Sequence, residues 1–490
     1  MNAVDERARA GRPQRPRQYG SGVLAMGEIS WTRARRAANA LMLTATVSAM
    51  AGSAGAAERA KNVILFIGDG MGVATLTAAR IYEAQQRGAD GASNHLSFEA
   101  FPQLGLVRTY SADSLVTDSA AGASAILTGR RTLNGALGVD DKVRRGDCVS
   151  VAGSTVPTLA ELARKKGLAT GVVSTAAITD ATPASLYAHT PSRQWQSDAD
   201  LPPEAVAAGC KDIARQMLDG PKALQLDVML GGGAAAFTPS ERDGKRLDGR
   251  DLTAEWRAGG GAFVKTGSEL ASVPKDTRRL LGLFAPGNMM RENARNATQT
   301  DAPRLTEMTV KAIEVLSQSK QGYFLMVEGA LIDKAHHMSL AQEALNETVE
   351  LAKAVAAAQA MTDPKNTLII VTADHSHGLT INGGARDTSI LGLLPGNEDD
   401  PARALDGKAV PILMYASGPG APVAELRPDP AGLDTADPDL RSFAAVPLNS
   451  AAHTGEDIAT YATGPGSEDI HGLMDHPAVH EVMRKALGLP

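Results

Sequence analysis

Three apolar runs that each end in metal-type ligands predict an α/β protein with a large, mainly parallel central sheet, helices on both faces and a functional site at the carboxyl ends of the strands. The runs are VILFIGDG (Val63 to Gly70), YFLMVEG (Tyr323 to Gly329) and TLIIVTADHSH (Thr367 to His377), and they deliver Asp69, Glu328, and Asp374 with His375. Near-continuous apolar runs read as strands buried on both faces, and open α/β sheets bind ligands beyond the carboxyl ends of their strands. A second observation is alternation. Pro157 to Lys166 reads as a helix with proline in its first turn and Gly167 as its stop, followed by the strand ATGVVST. Thr306 to Gln318 and Ser339 to Met361 read as helices, each followed by one of the buried runs. Strands alternating with helices give a mainly parallel sheet covered by helices.

The chain has 490 residues and is 43% hydrophobic, enough for one large core. A net charge of -6 leaves no basic footprint, so nucleic acid is not a steered partner on charge grounds. Residues 1–57 read as separate from the catalytic domain at 58–490. Arg33, Arg35 and Arg36 precede an apolar run from Ala37 to Met50 and the small-residue segment AGSAGAAE. That pattern predicts a secretory signal cleaved near Ala56 or Ala57, with Met26 as the probable start, and so a periplasmic or secreted protein. The apolar run is too short for a membrane span; an anchoring helix or disordered tail is the competing reading. Residues 383–448, rich in Gly, Pro and Asp around AVPILMYAS, read as a surface insertion beside the site.

The two cysteines, Cys148 and Cys210, are predicted to pair after export into an oxidising compartment, with two buried free thiols as the alternative. With two cysteines and no CxxC, a thiolate zinc site is excluded, so any metal is held by Asp, Glu and His.

Four further motifs carry chemistry. VTDSAAGASAILTG (Val116 to Gly129) places Ser119 at the start of a helix, where free amides and the dipole attract phosphate; taken alone, the pair reads more readily as a plain helix cap, and the surrounding motifs reverse that. No G-x-S-x-G elbow is present, which disfavours a Ser-His-Asp hydrolase. In VEGALIDKAHH, Asp333 and His337 are four apart and can share a helical face, with His336 as a competitor. In TADHSH, Asp374 and His375 suit one metal, and His377 suits a hydrogen bond behind the ligands. In AHTGED, His453 sits in a loop of small residues, where a lone histidine is more often structural.

Taken together these motifs resemble the alkaline phosphatase family from about Asn62 to Leu489, in the family's order: FIGDGMG, TDSAAG, DATPAS, SRQW, LGGGAAAF, LLGLFAPGNM, VEGALIDKAHH, TADHSH and HTGEDIA. The resemblance implies hydrolysis of phosphate monoesters through a phosphoserine on Ser119, at a site of two zinc ions and one magnesium per subunit. It implies one zinc on Asp333, His337 and His453 and a second on Asp69, Asp374 and His375. Magnesium falls to Asp69, Glu328 and Thr182, and Arg193 grips two phosphate oxygens, a bidentate task that suits guanidinium geometry. It further implies a homodimer acting on small phosphate monoesters.

Asp180 and Lys334 resemble the bacterial pattern, in which a lysine supplies charge near the phosphate. PSRQWQSDADLPPEA, the cysteine positions and HTGEDIA resemble the animal enzymes. Animal relatives also hold calcium through an acidic residue where this chain has Ala285, so no calcium site is expected. Their lipid-anchored C-terminal extension has no counterpart before Pro490, so the processed chain is expected to be soluble. The main alternative is a phosphodiesterase of the same superfamily, which typically uses threonine as nucleophile and lacks the Arg193 and magnesium positions. A catalytically silent phosphate-binding protein on the same scaffold is the third reading.

Overall fold

In the computed structural model the sheet is built outward from one strand that is apolar after its first residue. The structure describes residues 59–220, 225–397, 400–423 and 427–490; the predicted signal segment, its cleavage point and Met26 lie outside them. In chain order the strands are β1 (Asn62–Gly68), β2 (Gln103–Arg108), β3 (Ala169–Ala177), β4 (Val228–Gly232), β5 (Ala262–Val264), β6 (Leu280–Leu283), β7 (Tyr323–Gly329) and β8 (Thr367–Ala373). They continue with β9 (Ser376–His377), β10 (Leu379–Ile381), β11 (Leu413–Gly418), β12 (Ala444–Pro447), β13 (His453–Thr454), β14 (Ile458–Thr463) and β15 (Gly472–Asp475).

Ten of these form one sheet in the order β15-β2-β14-β8-β1-β7-β3-β4-β6-β5. All neighbours run parallel except β14, which is antiparallel to both β2 and β8. The centre is β8-β1-β7, whose residues are buried apart from Asn62. Burial on both faces explains why these segments lack the alternation of a half-exposed strand. The register pairs Ile67 with Glu328 and Gly68 with Ala373, so Asp69, Glu328 and Asp374 emerge side by side at one edge.

Helices cover the sheet. Leu305–Leu316 packs on Ala341–Met361 and on β3, and Val73–Gln86 packs on Ala341–Met361. The predicted helices stand at Leu159–Lys165, Leu305–Leu316 and Ala341–Met361, each within two residues of its expected bounds. The run expected as one strand to His377 is interrupted: β8 stops at Ala373, and Ser376–His377 pairs antiparallel with His453–Thr454. That short pairing brings the loop histidine of AHTGED to the strand edge. The region 383–448 contributes β11 and β12, which with β10 form a three-stranded sheet. It is tied inward through Tyr415, whose hydroxyl lies 2.8 Å from His336 Nδ1.

Candidate active site

The edge of β1 and β8 carries the more deeply buried of two ligand clusters. One side-chain oxygen or nitrogen from each of Asp69, Asp374 and His375 lies within 4.8 Å of the others. All three are almost without solvent exposure. Asp374 Oδ1 accepts from the backbone amides of Gly70 and His375, at 3.1 and 3.0 Å, while its Oδ2 is buried without a partner. Gly70 permits this turn because its φ is +69° and a Cβ there would lie 2.6 Å from the His377 ring. Ser119 faces the cluster: its Oγ is 3.5 Å from Asp69 Oδ1 and 3.3 Å from His375 Nε2.

Sequence explains how Ser119 arrives there. It is the first residue of the helix Ser119–Thr128, capped by Asp118, whose side chain accepts from the Ala121 amide at 3.0 Å. All ten helix residues are buried, and a Cβ on Gly122 would come within 2.9 Å of the Asp374 carbonyl. Small residues are thus what lets this helix lie against the end of β8.

The second cluster is partly open. Asp333, His337, His377 and His453 present ligand atoms within 4.8 Å of one another. Asp333 and His337 share a face of the short helix Leu331–His337, His453 comes from β13, and His377 from β9. Asp333 Oδ1 lies 2.6 Å from His377 Nε2 and 3.3 Å from Nε2 of both His337 and His453. The Nδ1 atoms of His337 and His453 lie 2.8 and 3.1 Å from the carbonyls of Ala451 and Thr117. Carbonyls only accept, so each Nδ1 carries the proton and each Nε2 its lone pair. Those two lone pairs face one another at 3.2 Å, beside a carboxylate, which is a donor set that fits a cation. His377 differs because its Nε2 faces the Asp333 carboxylate at 2.6 Å, bracing the carboxylate as the sequence reading expects.

The electrostatics agree. Burial, then Asp333 and Asp374, raise Asp69 well above the usual carboxylate range, and burial first pushes Asp374 up to about 6. Burial works to raise Asp333 as well, but Lys334 and the bond from His377 hold it well below its ordinary value. Burial drives His375 well below its ordinary value and His377 down to about 4, so these imidazoles are neutral and available as ligands or donors.

Two cations stand beside the ligands. Arg193 Nη1 lies 3.2 Å from Asp118 Oδ2, and its Nη2 lies 3.1 Å from Asp180 Oδ1. Lys334 Nζ is 3.5 Å from Asp180 Oδ2 and 3.2 Å from Asp333 Oδ2. Asp180 therefore ties the two cations together, and despite burial Lys334 and Arg193 hold its carboxyl below the usual range. Glu328 is buried at the end of β7, accepts a very short hydrogen bond from Ser174 and is pushed up to about 8 by burial. Thr182 Oγ1 is buried without a partner, an orphan that a nearby cation would satisfy.

The sequence-predicted zinc ligands, Ser119 and Glu328 thus lie at this edge, with Lys334, Asp180 and Arg193 linked to it through Asp333, whereas the competing His336, whose ring lies 5.1 Å from that of His377, gives no atom to either cluster. Its Nε2 is 3.0 Å from Thr75 Oγ1 and its Nδ1 bonds Tyr415, which is a structural arrangement. Sequence reasoning missed Asp118 as a partner of Arg193 and Ser174 as a partner of Glu328. Asp118 was findable as the cap before Ser119, whereas Ser174 lay inside a strand-like run with no distinguishing signal. Cys148 and Cys210 form a disulfide, as predicted. Among the described residues no helix is long and apolar enough to cross a membrane.

Comparison with known proteins follows the same lines. The alkaline phosphatase family profile matches residues 60–489. The chicken tissue-nonspecific alkaline phosphatase is 40% identical over 446 residues, covering 87% of this chain and 84% of the relative. The crystal structure of Thermus thermophilus alkaline phosphatase superposes with a TM-score of 0.65 at 26% identity, over 90% of this chain and 95% of that one. A mutant of the alkaline phosphatase from the Antarctic bacterium TAB5, with Mg bound in its M3 site, gives a TM-score of 0.61 at 26% identity over 88% and 99% of the two chains.

Proposed function

This chain belongs to the alkaline phosphatase family and is a metal-dependent phosphomonoesterase; we propose that its activity runs through a phosphoserine on Ser119. The observation that carries this reading is the placement of Ser119. It stands at a helix N-terminus, 3.3 and 3.5 Å from two residues of a buried ligand cluster, and the residue before it, Asp118, bonds Arg193.

The donor sets support two zinc ions, one on Asp333, His337 and His453 and one on Asp69, Asp374 and His375. Magnesium would take Asp69, Glu328 and Thr182; the magnesium-bound relative is consistent with such a site. When bound, these cations supply Lewis-acid charge that lowers the pKa of a ligated hydroxyl and stabilises charge on the transferring oxygens.

The chain's own residues do the rest. Arg193, fixed by Asp118 and Asp180, offers two parallel N–H groups to two phosphate oxygens, and Lys334 adds a second positive charge. Held so, the phosphorus faces Ser119 Oγ with the alcohol on the opposite side. Ser119 Oγ gives up its proton and bonds to phosphorus as the P–O bond to the alcohol breaks and the alcohol oxygen takes up a proton from solvent. A water then loses a proton and attacks the phosphoserine from the vacated side, the P–O bond to Ser119 breaks, Oγ is reprotonated, and phosphate is released. The free amides of the helix Ser119–Thr128 favour the negative charge of the transferring group throughout.

Three further expectations belong to the same reading. The chain is periplasmic or secreted after removal of residues 1–57, a reading the disulfide supports. It is a homodimer; Leu104, Leu106 and Leu473, exposed together on β2 and the edge strand β15, supply apolar surface for such a contact, and sedimentation at several concentrations tests it. Calcium is not bound at Ala285, whose methyl offers no ligand.

The test is hydrolysis of phenyl phosphate against its diester at mildly alkaline pH, before and after chelation, with zinc and magnesium restored separately. Fast monoester turnover that chelation abolishes and the metals restore is expected. Preferential diester turnover by the restored protein would contradict the reading.

A further inference from the structure

The tryptophan of the PSRQW run has no part in the chemistry above, yet it sits two residues from Arg193. Trp195 is 4% exposed and packs in one small apolar cluster with Cys210, Ala205, Cys148 and Leu201. That cluster is built on the Cys148–Cys210 disulfide, whose Cα atoms are 5.9 Å apart and 62 residues apart in sequence. The loop it closes contains Asp180, Thr182 and Arg193.

The backbone between the disulfide and the guanidinium is held at each step. The Arg193 amide donates to the Gly135 carbonyl at 2.7 Å. The Trp195 carbonyl accepts from the Ile213 amide at 2.8 Å, and the Gln196 carbonyl accepts from Ala214 at 3.1 Å. The Gln196 side chain accepts from Thr179 Oγ1 at 2.8 Å, which joins this loop to the residue before Asp180. Arg193 lies on no helix or strand, so while Asp118 and Asp180 hold its guanidinium, the position of its backbone depends on these ties and on the body behind Trp195.

We infer that the Cys148–Cys210 disulfide and the Trp195 side chain packed with it form a positioning platform for Arg193, which sets the enzyme's affinity for the phosphate group without taking part in metal binding. The inference rests on the reading of Arg193 as the phosphate grip. A bidentate guanidinium contact is lost by a small rotation, because both N–H groups must meet their oxygens together. Loosening the platform therefore weakens phosphate binding while the ligand clusters, held on β1, β8, β9, β13 and the helix Leu331–His337, stay assembled. A cavity of about 510 Å³ lined by both cysteines, Trp195, His189 and Lys211 adjoins the disulfide and leaves it within reach of a small reductant.

The experiment uses the full-length holoenzyme and reads three quantities: KM for phenyl phosphate, the inhibition constant of inorganic phosphate, and zinc and magnesium content. C148S/C210S and W195A are each expected to raise KM and the inhibition constant about tenfold, the size of one lost charge-assisted hydrogen bond. They should change kcat by less than about threefold and leave metal content unchanged. W195F, which keeps an aromatic ring in the cluster, should restore the inhibition constant to within about twofold of the wild type. Treating the wild type with a water-soluble trialkylphosphine should reproduce the cysteine variant, and this arm decides if that variant does not fold. There the S–S bond breaks, the phosphine is oxidised to its oxide, and water supplies the oxide oxygen and the two thiol protons. A lowered melting temperature with an unchanged phosphate constant would overturn the inference, as would loss of metal in proportion to loss of activity. R193A is run alongside. If it leaves the phosphate constant unchanged, the reading of Arg193 itself fails; if it raises the constant and the platform variants do not, only the platform fails.

Discussion

The two ligand clusters are made of the same residue types and differ in depth. Asp69, Asp374 and His375 stand at the ends of adjacent central strands with at most 2% exposure. Asp333, His337, His377 and His453 are drawn from a short helix and a two-stranded pairing, and the His337 side chain is 29% exposed. The buried cluster is the one that meets Ser119, where an attacking oxygen must be shielded from water and held in one direction. In the proposed mechanism the open cluster would serve the side from which the alcohol leaves and the water enters. The same donor types are thus set on supports that differ in depth and accessibility.

The comparison can be broken most decisively at Ser119. Ser119→Ala should lower kcat on the order of 10³-fold or more while both metal clusters still fill, since the hydroxyl is the attacking atom. Turnover near wild type by a fully loaded variant would sink the assignment.

Next in size is the difference between the clusters under chelation. One zinc equivalent should leave quickly from the open cluster and a second slowly from the buried one, read with a zinc-sensitive dye during a chelator pulse. Single-phase release of both would remove the distinction. His377→Ala should make the fast phase faster and weaken zinc binding about 10–100-fold, because His377 braces Asp333 from behind.

A third effect is in pH. Without metal, the folded-state values of Asp374, about 6, and Glu328, about 8, lie above those of the unfolded chain. A carboxyl raised by burial contributes stability at low pH that is lost as pH rises to its folded value. The buried site histidines, held below their ordinary value, act in the opposite sense up to about pH 6.5, so it is between there and about 8 that the metal-free protein should lose thermal stability as pH rises. The loaded protein, whose carboxylates are already ionised by their cations, should not. Melting curves of both forms between pH 5 and 9 check this; parallel curves would contradict it.

The smallest effect falls outside both clusters. Tyr415→Phe removes the partner of buried His336 Nδ1 and should cost about 1–2 kcal/mol of stability with little change in kcat. A large loss of kcat would mean that His336 couples to its neighbour His337 more strongly than the geometry indicates.

The same contrast in support explains what could be read from the sequence. The buried cluster was legible because each ligand ends an apolar run, and a central parallel strand has almost no other way to end in a carboxylate. Asp333 and His337 were legible from their spacing of four. His453 was not legible from its own neighbours, since β13 is two residues long and its partner Ser376–His377 lies 76 residues earlier in the chain. Its role came only from resemblance. The edge strand β15 and its neighbour β2 were missed for a related reason. They are short, and outward-facing Leu104, Leu106 and Leu473 disguise the alternation that marks a half-exposed strand. The ties of Arg193 to Asp118 and Asp180 join three loop-borne residues, and no periodicity records such contacts.

The central claim is that the buried cluster serves Ser119, and it is tested most directly by acid-quenching the holoenzyme during turnover of phenyl phosphate and mapping phosphorylated peptides by mass spectrometry. A single phosphoserine at Ser119, absent from Ser119→Ala, is the predicted result. Undiminished monoester turnover in that variant, or a phosphoryl group trapped on any other residue, would contradict it.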